Sequence, residues 1–352
     1  MNTFMNFENK IEKIEISIVI PTWNRSNSLI ECINALYKCE LPKNKFEIII
    51  CDSNSTDDTE NKLNNFISDN NIKNLRIIHC EHNNVSLKRN VGIKNSKFDY
   101  IVLIDDDCIA EKNYLNKFQE QFLEIDNFDI LCGEYKTNYK LLNKSNYLKY
   151  RDSRNHGSKN YKNKEKDLNY LDYKRIVTGN LGFKKDNIIK QNIFFNEDII
   201  GYGGEDVDWA WRLIDSGFRL KKSSIQVIHN ETSSNIINYK LKHLHFAYGA
   251  MPFLKKYNYD AAKNLPTFFL EQRNSSLSKM ITFLFLRFFF NKFLISFLEF
   301  IVLHTDQYSF FYSHTIYRII ILRAYIDGIL LREKGSLKQS DTKKDWYKKG
   351  YK

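Results

Sequence analysis

Three consecutive carboxylates, Asp105, Asp106 and Asp107, close a run of strand-forming apolar residues at 101–104. Like charges this close repel one another, and burying them is costly. A divalent cation would neutralise them, because Mg2+ and Mn2+ take oxygen ligands and bridge one or two protein carboxylates to substrate phosphates. Asp105 and Asp107, two residues apart, can both reach a site at the strand end. The plain alternative is a solvated acidic turn that favours the N-terminal dipole of the next helix. A second acidic group, Glu205, Asp206 and Asp208, follows two glycines and opens EDVDWAWRLIDS, which reads as a helix stopped by Gly217 in the C′ position. A carboxylate held there can take a proton from a hydroxyl; simple capping by acids is the competing explanation. His229, in QVIHNET, follows a strand-like run. Such a lone histidine is ordinarily a packed or hydrogen-bonded residue.

The elements that must position these groups alternate. ISIVIP (16–21), FEIIICD (46–52), LRIIHC (75–80) and YIVLI (100–104) read as buried strands, and each is followed by a helical pattern. In the first helix Leu29, Cys32, Ile33 and Leu36 fall at helical spacing, and Ser28 with Glu31 forms a candidate capping box. Strict alternation with short connections implies an α/β fold with a parallel sheet covered by helices on both faces. Ligands of such sheets bind beyond the carboxyl ends of the strands. Residues 21–25, 52–55 and 105–107 all follow strand ends and are expected along one sheet edge.

The chain has 352 residues, 43% hydrophobic and 27% charged, which suits a folded protein with a full core and suggests two domains. Its net charge of +11 is uneven: residues 271–352 hold 14 Lys/Arg against 7 Asp/Glu. Charge of that sign serves nucleic acid, anionic lipid or an anionic substrate. No recognised nucleic-acid motif accompanies it, so nucleic acid is not an expected partner. Six cysteines, none in a metal-ligand spacing, are expected as reduced thiols. The first ten residues are polar and lack an apolar h-region, so no signal peptide is expected and the site is placed in the cytoplasm. Residues 150–170 read as a mobile polar loop. From about residue 279 the chain is dense in Phe and Leu, yet Arg287, Lys292 and Glu299 interrupt residues 281–303. Each would cost ~2.5–3.5 kcal/mol near a bilayer centre. Helices lying at an anionic membrane surface, or packed on the rest of the protein, fit better than a span.

VIPTWNR, CDSNSTDDT, SLKRNVGI, LIDDDC and GGED occur in this order. Together, over roughly residues 14–245, they resemble the family-2 glycosyltransferases. GYGGEDVDWAWRL is also similar to the GWGGED segment of galactosyl- and N-acetylgalactosaminyltransferases and of chondroitin-type polymerases. The resemblance implies a GT-A-type, Rossmann-like catalytic domain over residues 1–245, a mostly parallel sheet flanked by helices, followed by a helical region at 246–352. It implies that Thr22, Asn24 and Arg25 line the nucleotide base and ribose. Asp52, beside Ser53, accepts a hydrogen bond from the base; Arg89, next to Lys88, approaches the base or diphosphate. Asp105 and Asp106 face the ribose and metal, Asp107 ligates the metal directly, and His229 completes the metal site. Asp206 is the general base, and Glu205 orients hydroxyls. The cofactor implied is Mn2+ or Mg2+, the donor a UDP-sugar, and the acceptor a glycan or lipid-linked saccharide; the basic, Phe-rich C-terminal helices place it at the inner face of a bacterial plasma membrane as an expectation. One base acting with one metal implies inversion at the anomeric carbon. A polyprenyl-phosphate sugar transferase and a non-catalytic nucleotide-sugar-binding protein are the alternatives. Trp209 or Trp211 is expected to be buried, the other to be free to stack on an acceptor sugar. Gly201, Gly203 and Gly204 are expected to let backbone approach substrate. The TGN element at 178–180 is either near the donor sugar or a structural turn.

Overall fold

A computed structural model describes residues 14–124, 129–154, 170–199, 203–230 and 235–335. Most of the expected polar loop, Gly201 and the last basic stretch lie outside the described residues. The chain forms two compact units. One comprises Met1–Lys136, His156–Glu197 and Trp209–Asn230; the other comprises Thr137–Asn155, Asp198–Asp208 and Glu231–Lys352. The division is therefore interleaved rather than a single boundary at 245. Segments 137–155 and 198–208, expected in the catalytic domain, belong to the second unit.

The first unit is built on eight strands: β1 (Ile16–Thr22), β2 (Phe46–Asp52), β3 (Leu75–His79), β4 (Tyr100–Ile104), β5 (Cys108–Ala110), β6 (Ile130–Thr137), β7 (Asn180–Lys184) and β8 (Leu220–His229). Their order in the sheet is β3-β2-β1-β4-β7-β6-β8-β5. The pairs β2–β3, β1–β2 and β1–β4 are parallel, as the alternation of strands and helices requires. Beyond β4 the pairs β4–β7, β6–β7 and β5–β8 are antiparallel. Every residue of β1 and β2 is buried, because helices cover both faces. In helix Ser26–Tyr37 the buried residues include Leu29, Cys32, Ile33 and Leu36, which join the sheet's Ile and Val residues in one core. Each such burial contributes ~1.5–3 kcal/mol. The Ser28–Glu31 capping box does not form. The Ser26 amide instead donates to Asp57 Oδ2 from the loop after β2, and Glu31 accepts from Asn230. All six cysteines are free and buried.

Helices make up the second unit, with His314–Glu333 packing against Ile236–His245. Gly328 allows their close approach, since a Cβ there would lie 2.4 Å from the Leu244 carbonyl oxygen. Tyr147, Tyr150, Tyr239, Tyr317 and Ile320 form one apolar cluster; Ala247, Leu270, Phe283 and Ile329 belong to another. Its charged side chains are paired inside: Arg332 Nη2 donates to both carboxylate oxygens of Glu271, at 2.9 and 2.8 Å, and Arg273 pairs with Glu333. The Phe-rich region forms two short helices, Leu277–Phe289 and Lys292–His304, bent by 55° at the break. Among the described residues no single helix is long and apolar enough to cross a membrane.

Candidate active site

The chain runs outward from β1 to β2 and β3, then returns to β1's other side as β4. That reversal opens a crevice at the carboxyl ends of β1 and β4, where ligands of open α/β sheets bind. Val19 is level with Leu103, so three residues further on Thr22 is level with Asp106. The Thr22 hydroxyl donates to Asp106 Oδ2 at 2.7 Å. Arg25 bridges two acids of the triplet, with Nη1 3.0 Å from Asp106 Oδ1 and 2.7 Å from Asp107 Oδ2.

Sheet register also delivers the histidine. Cys108 pairs with His229 across the antiparallel β5–β8 ladder, so Asp107, one residue earlier, lies at the end of β8. Its carbonyl accepts from the Asn230 amide at 2.8 Å. His229 Nε2 lies 3.4 Å from Asp107 Oδ1. Burial would raise the Asp107 pKa, but His229 and then Arg25 outweigh it and hold this carboxyl well below its ordinary value. Asp106 goes the other way: burial pushes it up, against the pull of Arg25 and with help from Asp107.

Asp105 has different partners. Arg89 Nη2 donates to its Oδ1 at 3.2 Å, and the Tyr135 hydroxyl to its Oδ2 at 2.8 Å. Tyr135 also stacks on His229, with ring centroids 5.1 Å apart and planes 11° from parallel. Tyr135 thus ties the first acid of the triplet to the histidine. No motif marked it, and its β-strand position at the end of an apolar run carries no signal of its own. Gly179, in the TGN element, packs against the same pair. A Cβ there would lie 1.7 Å from Tyr135 Oη and 2.2 Å from Asp105 Oδ2. Within the TGN element, then, the glycine makes room for the acid. Asn180, fully buried, accepts from Tyr114 and donates to the carbonyls of Glu134 and Ile225, a structural use of that residue.

The nucleotide-side candidates cluster around the same edge. Asn24 takes φ +52°, and its amide oxygen accepts from the Thr56 and Asp57 amides at 2.6 and 3.2 Å, joining the loops after β1 and β2. Asp52 accepts from the Ser55 amide at 2.9 Å and from the Ser55 hydroxyl, which leaves further carboxylate lone pairs for a ligand. Ser53 donates to the His82 carbonyl at 3.0 Å, so it braces the next loop. Lys88 is buried, donates to the Thr22 carbonyl at 2.9 Å, and is lowered to about 8 by burial, against Asp106 and Asp52.

The expected metal set is only partly assembled. Asp107 and His229 meet; Asp105 is turned to Arg89 and Tyr135. Among the described residues no three His, Cys, Asp or Glu side chains converge as a cation site. The pair itself supplies a carboxylate oxygen and an imidazole nitrogen 3.4 Å apart, a donor set that suits a divalent ion such as Mn2+ whose remaining positions are filled by substrate oxygens or water.

Glu205 and Asp206 open the helix Glu205–Asp215, within the part of the chain assigned to the second unit. Asp206 Oδ1 accepts from the Val207 amide at 2.8 Å. Asp208 is buried and accepts from Asn258 at 3.2 Å, a structural use of the third acid. Gly203 and Gly204 take φ +77° and +92°, and a Cβ on Gly204 would lie 2.9 Å from Ala250 Cβ, so packing as well as conformation selects glycine. Trp209 is the buried tryptophan: its Nε1 donates to the Ile193 carbonyl and its ring stacks on Phe195. Trp211 sits edge-on to Tyr173. Gly217, at φ +88°, ends the helix as its sequence indicated.

Comparison with known proteins agrees with this architecture. Residues 17–189 match the model of glycosyl transferase family 2, and residues 161–233 match that of the N-terminal domain of galactosyltransferase. Residues 17–189 are thus similar to a family-2 glycosyltransferase domain. Curated relatives include the glycosyltransferase YfnE of Bacillus subtilis, 25% identical over 63% of this chain and 66% of its own. Another is the glycosyltransferase GlyG of Streptococcus pneumoniae, 31% identical over 34% of this chain and 38% of its own. The aligned part therefore spans between a third and two thirds of these relatives' length. Among solved structures, the mannosyltransferase PcManGT of Pyrobaculum calidifontis, in complex with GDP-Man and Mn2+, superposes with a TM-score of 0.56 at 12% identity, covering 94% of each chain. That likeness is of fold: the chain has the mixed α/β GT-A arrangement with a C-terminal helical region.

Proposed function

We propose that the protein transfers a sugar from a nucleotide-sugar, a UDP-sugar on the motif reading, to a hydroxyl of a glycan or lipid-linked saccharide, with inversion at the anomeric carbon. The observation that carries the proposal is the Asp107–His229 pair at the start of β5 and the end of β8, with Arg25 on Asp107, Arg89 on Asp105 and Lys88 on the Thr22 carbonyl. Cations gathered on this strand edge with an acid–imidazole pair suit a diphosphate and a divalent ion better than an acidic turn would.

Breaking the bond between the anomeric carbon and the β-phosphate oxygen leaves its electron pair on the diphosphate. A bound Mn2+ or Mg2+, held by Asp107 and His229, would supply Lewis-acid stabilisation of that charge. Arg25, released from Asp106 and Asp107, has the reach and charge to meet the diphosphate or ribose. Thr22, Asn24 and Asp52 orient the nucleoside; Asp105 and Asp106 set the ribose side. Asp206 takes the acceptor hydroxyl's proton as its oxygen attacks the anomeric carbon, and Glu205 orients hydroxyls.

A nucleotide-release assay with a panel of UDP-, GDP- and dTDP-sugars, in Mn2+, Mg2+ or EDTA, tests the reading. Metal-dependent release from one sugar nucleotide, lost in Asp107→Ala, is the expected result. Absence of both release and nucleotide binding by calorimetry would overturn it.

A further inference from the structure

Helices Leu277–Phe289 and Lys292–His304 each bury only a thin stripe, represented by Phe283, Ile295 and Val302. Their other faces expose a second stripe at helical spacing: Ile281, Leu284, Phe285 and Phe288 on the first, Phe293 and Phe297 on the second. Phe288 is 83% and Phe293 86% exposed, and Phe310 just beyond is 92% exposed. A contiguous apolar face of this kind marks an interaction surface.

Charge on the two helices is sorted. Their one acid, Glu299, points into the unit and pairs with Lys240 at 2.7 Å. Lys279, Arg287 and Lys292 are exposed. Arg287 and Lys292 flank the open face and Lys279 stands at the N-terminal end of the first helix, so the exposed side of the pair carries cations and no acid. The chain continues beyond Gly335 with six lysines against two aspartates in residues 336–352, the same sign again.

Length and anchoring decide how such a face meets lipid. Each helix has 13 residues, about 20 Å, short of the roughly 30 Å hydrocarbon core. The break between them is held by the protein: Arg323 Nη1 donates to the Arg287 and Phe290 carbonyls at 3.0 and 2.7 Å. A straightened pair would lose those bonds and carry Arg287 and Lys292 to the bilayer centre.

We propose that these two helices lie flat in the headgroup–acyl boundary of an anionic bilayer, with the phenylalanines in the acyl region and Lys279, Arg287 and Lys292 on acidic headgroups. The proposal is independent of sugar transfer, because vesicle binding requires neither donor nor acceptor. Co-sedimentation of the full chain with phosphatidylcholine vesicles, with and without phosphatidylglycerol, tests it. Binding to the anionic vesicles is expected, weakened at least about tenfold by Phe288→Ser with Phe293→Ser. Lys279→Gln, Arg287→Gln and Lys292→Gln together should remove the preference for phosphatidylglycerol. All five positions are exposed, and circular dichroism checks that the variants stay folded. No vesicle binding, or binding unchanged in the double Phe variant, would overturn the proposal. So would a vesicle-free dimer that the Phe variant dissolves, which would assign the face to a second copy of the chain.

Discussion

The two units treat charge in opposite ways. In the first, acids and cations gather at the strand ends, where Arg25 spans Asp106 and Asp107 and Arg89 meets Asp105. In the second, charges are consumed internally, as in Arg332–Glu271 and Lys240–Glu299, while large apolar side chains face outward. A charged cluster at the end of a sheet can trade its internal partners for a ligand's. An ion pair locked among helices cannot, so it serves packing. Apart from Glu205 and Asp206, what the two units offer therefore differs in kind: ligand charge in the first, apolar surface edged by cations in the second.

This contrast is broken most severely at Asp107. Asp107→Ala removes the carboxylate that pairs with both His229 and Arg25. Turnover with the preferred sugar nucleotide should fall on the order of 10³-fold, with metal dependence lost. Circular dichroism should show the fold retained. The counterpart in the second unit is Arg332→Met. It leaves Glu271 buried without its guanidinium and removes the bond to the Ala247 carbonyl at 2.7 Å. Breaking one side of a buried pair costs ~3–5 kcal/mol. A lower urea midpoint is expected, while the affinity for sugar nucleotide of the molecules that remain folded stays the same. If instead Arg332→Met altered that affinity and Asp107→Ala altered stability, the functional contrast between the units would be lost.

Gly179→Ala sharpens the comparison within the first unit. The new Cβ must displace Tyr135 Oη and Asp105 Oδ2. A shift of about 1 Å in a positioned group costs roughly 10²-fold in turnover. Tyr135→Phe removes the nearer oxygen, so the double variant should recover part of the loss. Absence of any recovery would mean that Asp105, not Tyr135, takes the whole displacement.

Legibility in the sequence followed the range of each interaction. The four parallel strands, their helices and the edge they share could be read because each depends on local period and on strict alternation. The site residues on short loops after those strands inherited that clarity. The antiparallel half was not readable in the same way: β5 is three residues long, and its pairing with β8 joins Cys108 to His229, far apart in the chain. Tyr135 and Gly179 likewise act through partners distant in the chain, Asp105 for both and His229 for Tyr135, so local pattern does not announce these contacts. The capping box failed for a related reason, since Asp57 from another loop met the Ser26 amide first. Interleaving of segments 137–155 and 198–208 with the helical unit likewise has no local signature.

The smallest expected effect lies in the second unit and concerns pH. Burial lowers the His245 imidazole from 6.5 to about 4. Between those values the unfolded chain binds a proton that the folded unit refuses. Stability contributed by neutral burial is therefore present above about pH 6.5 and declines as pH falls toward 4. With partial exposure of the residue allowed for, the effect is on the order of 1–2 kcal/mol. His245→Gln removes the titration but keeps a polar side chain of similar length. Its urea midpoint should vary less between pH 6.5 and 4 than that of the parent, and the difference between the two curves cancels the carboxylates they share. Parallel curves would show that His245 takes up its proton in the folded unit as readily as in the unfolded chain. The second unit would then accept charge at an internal position, and the contrast with the first would narrow to the exposed apolar face.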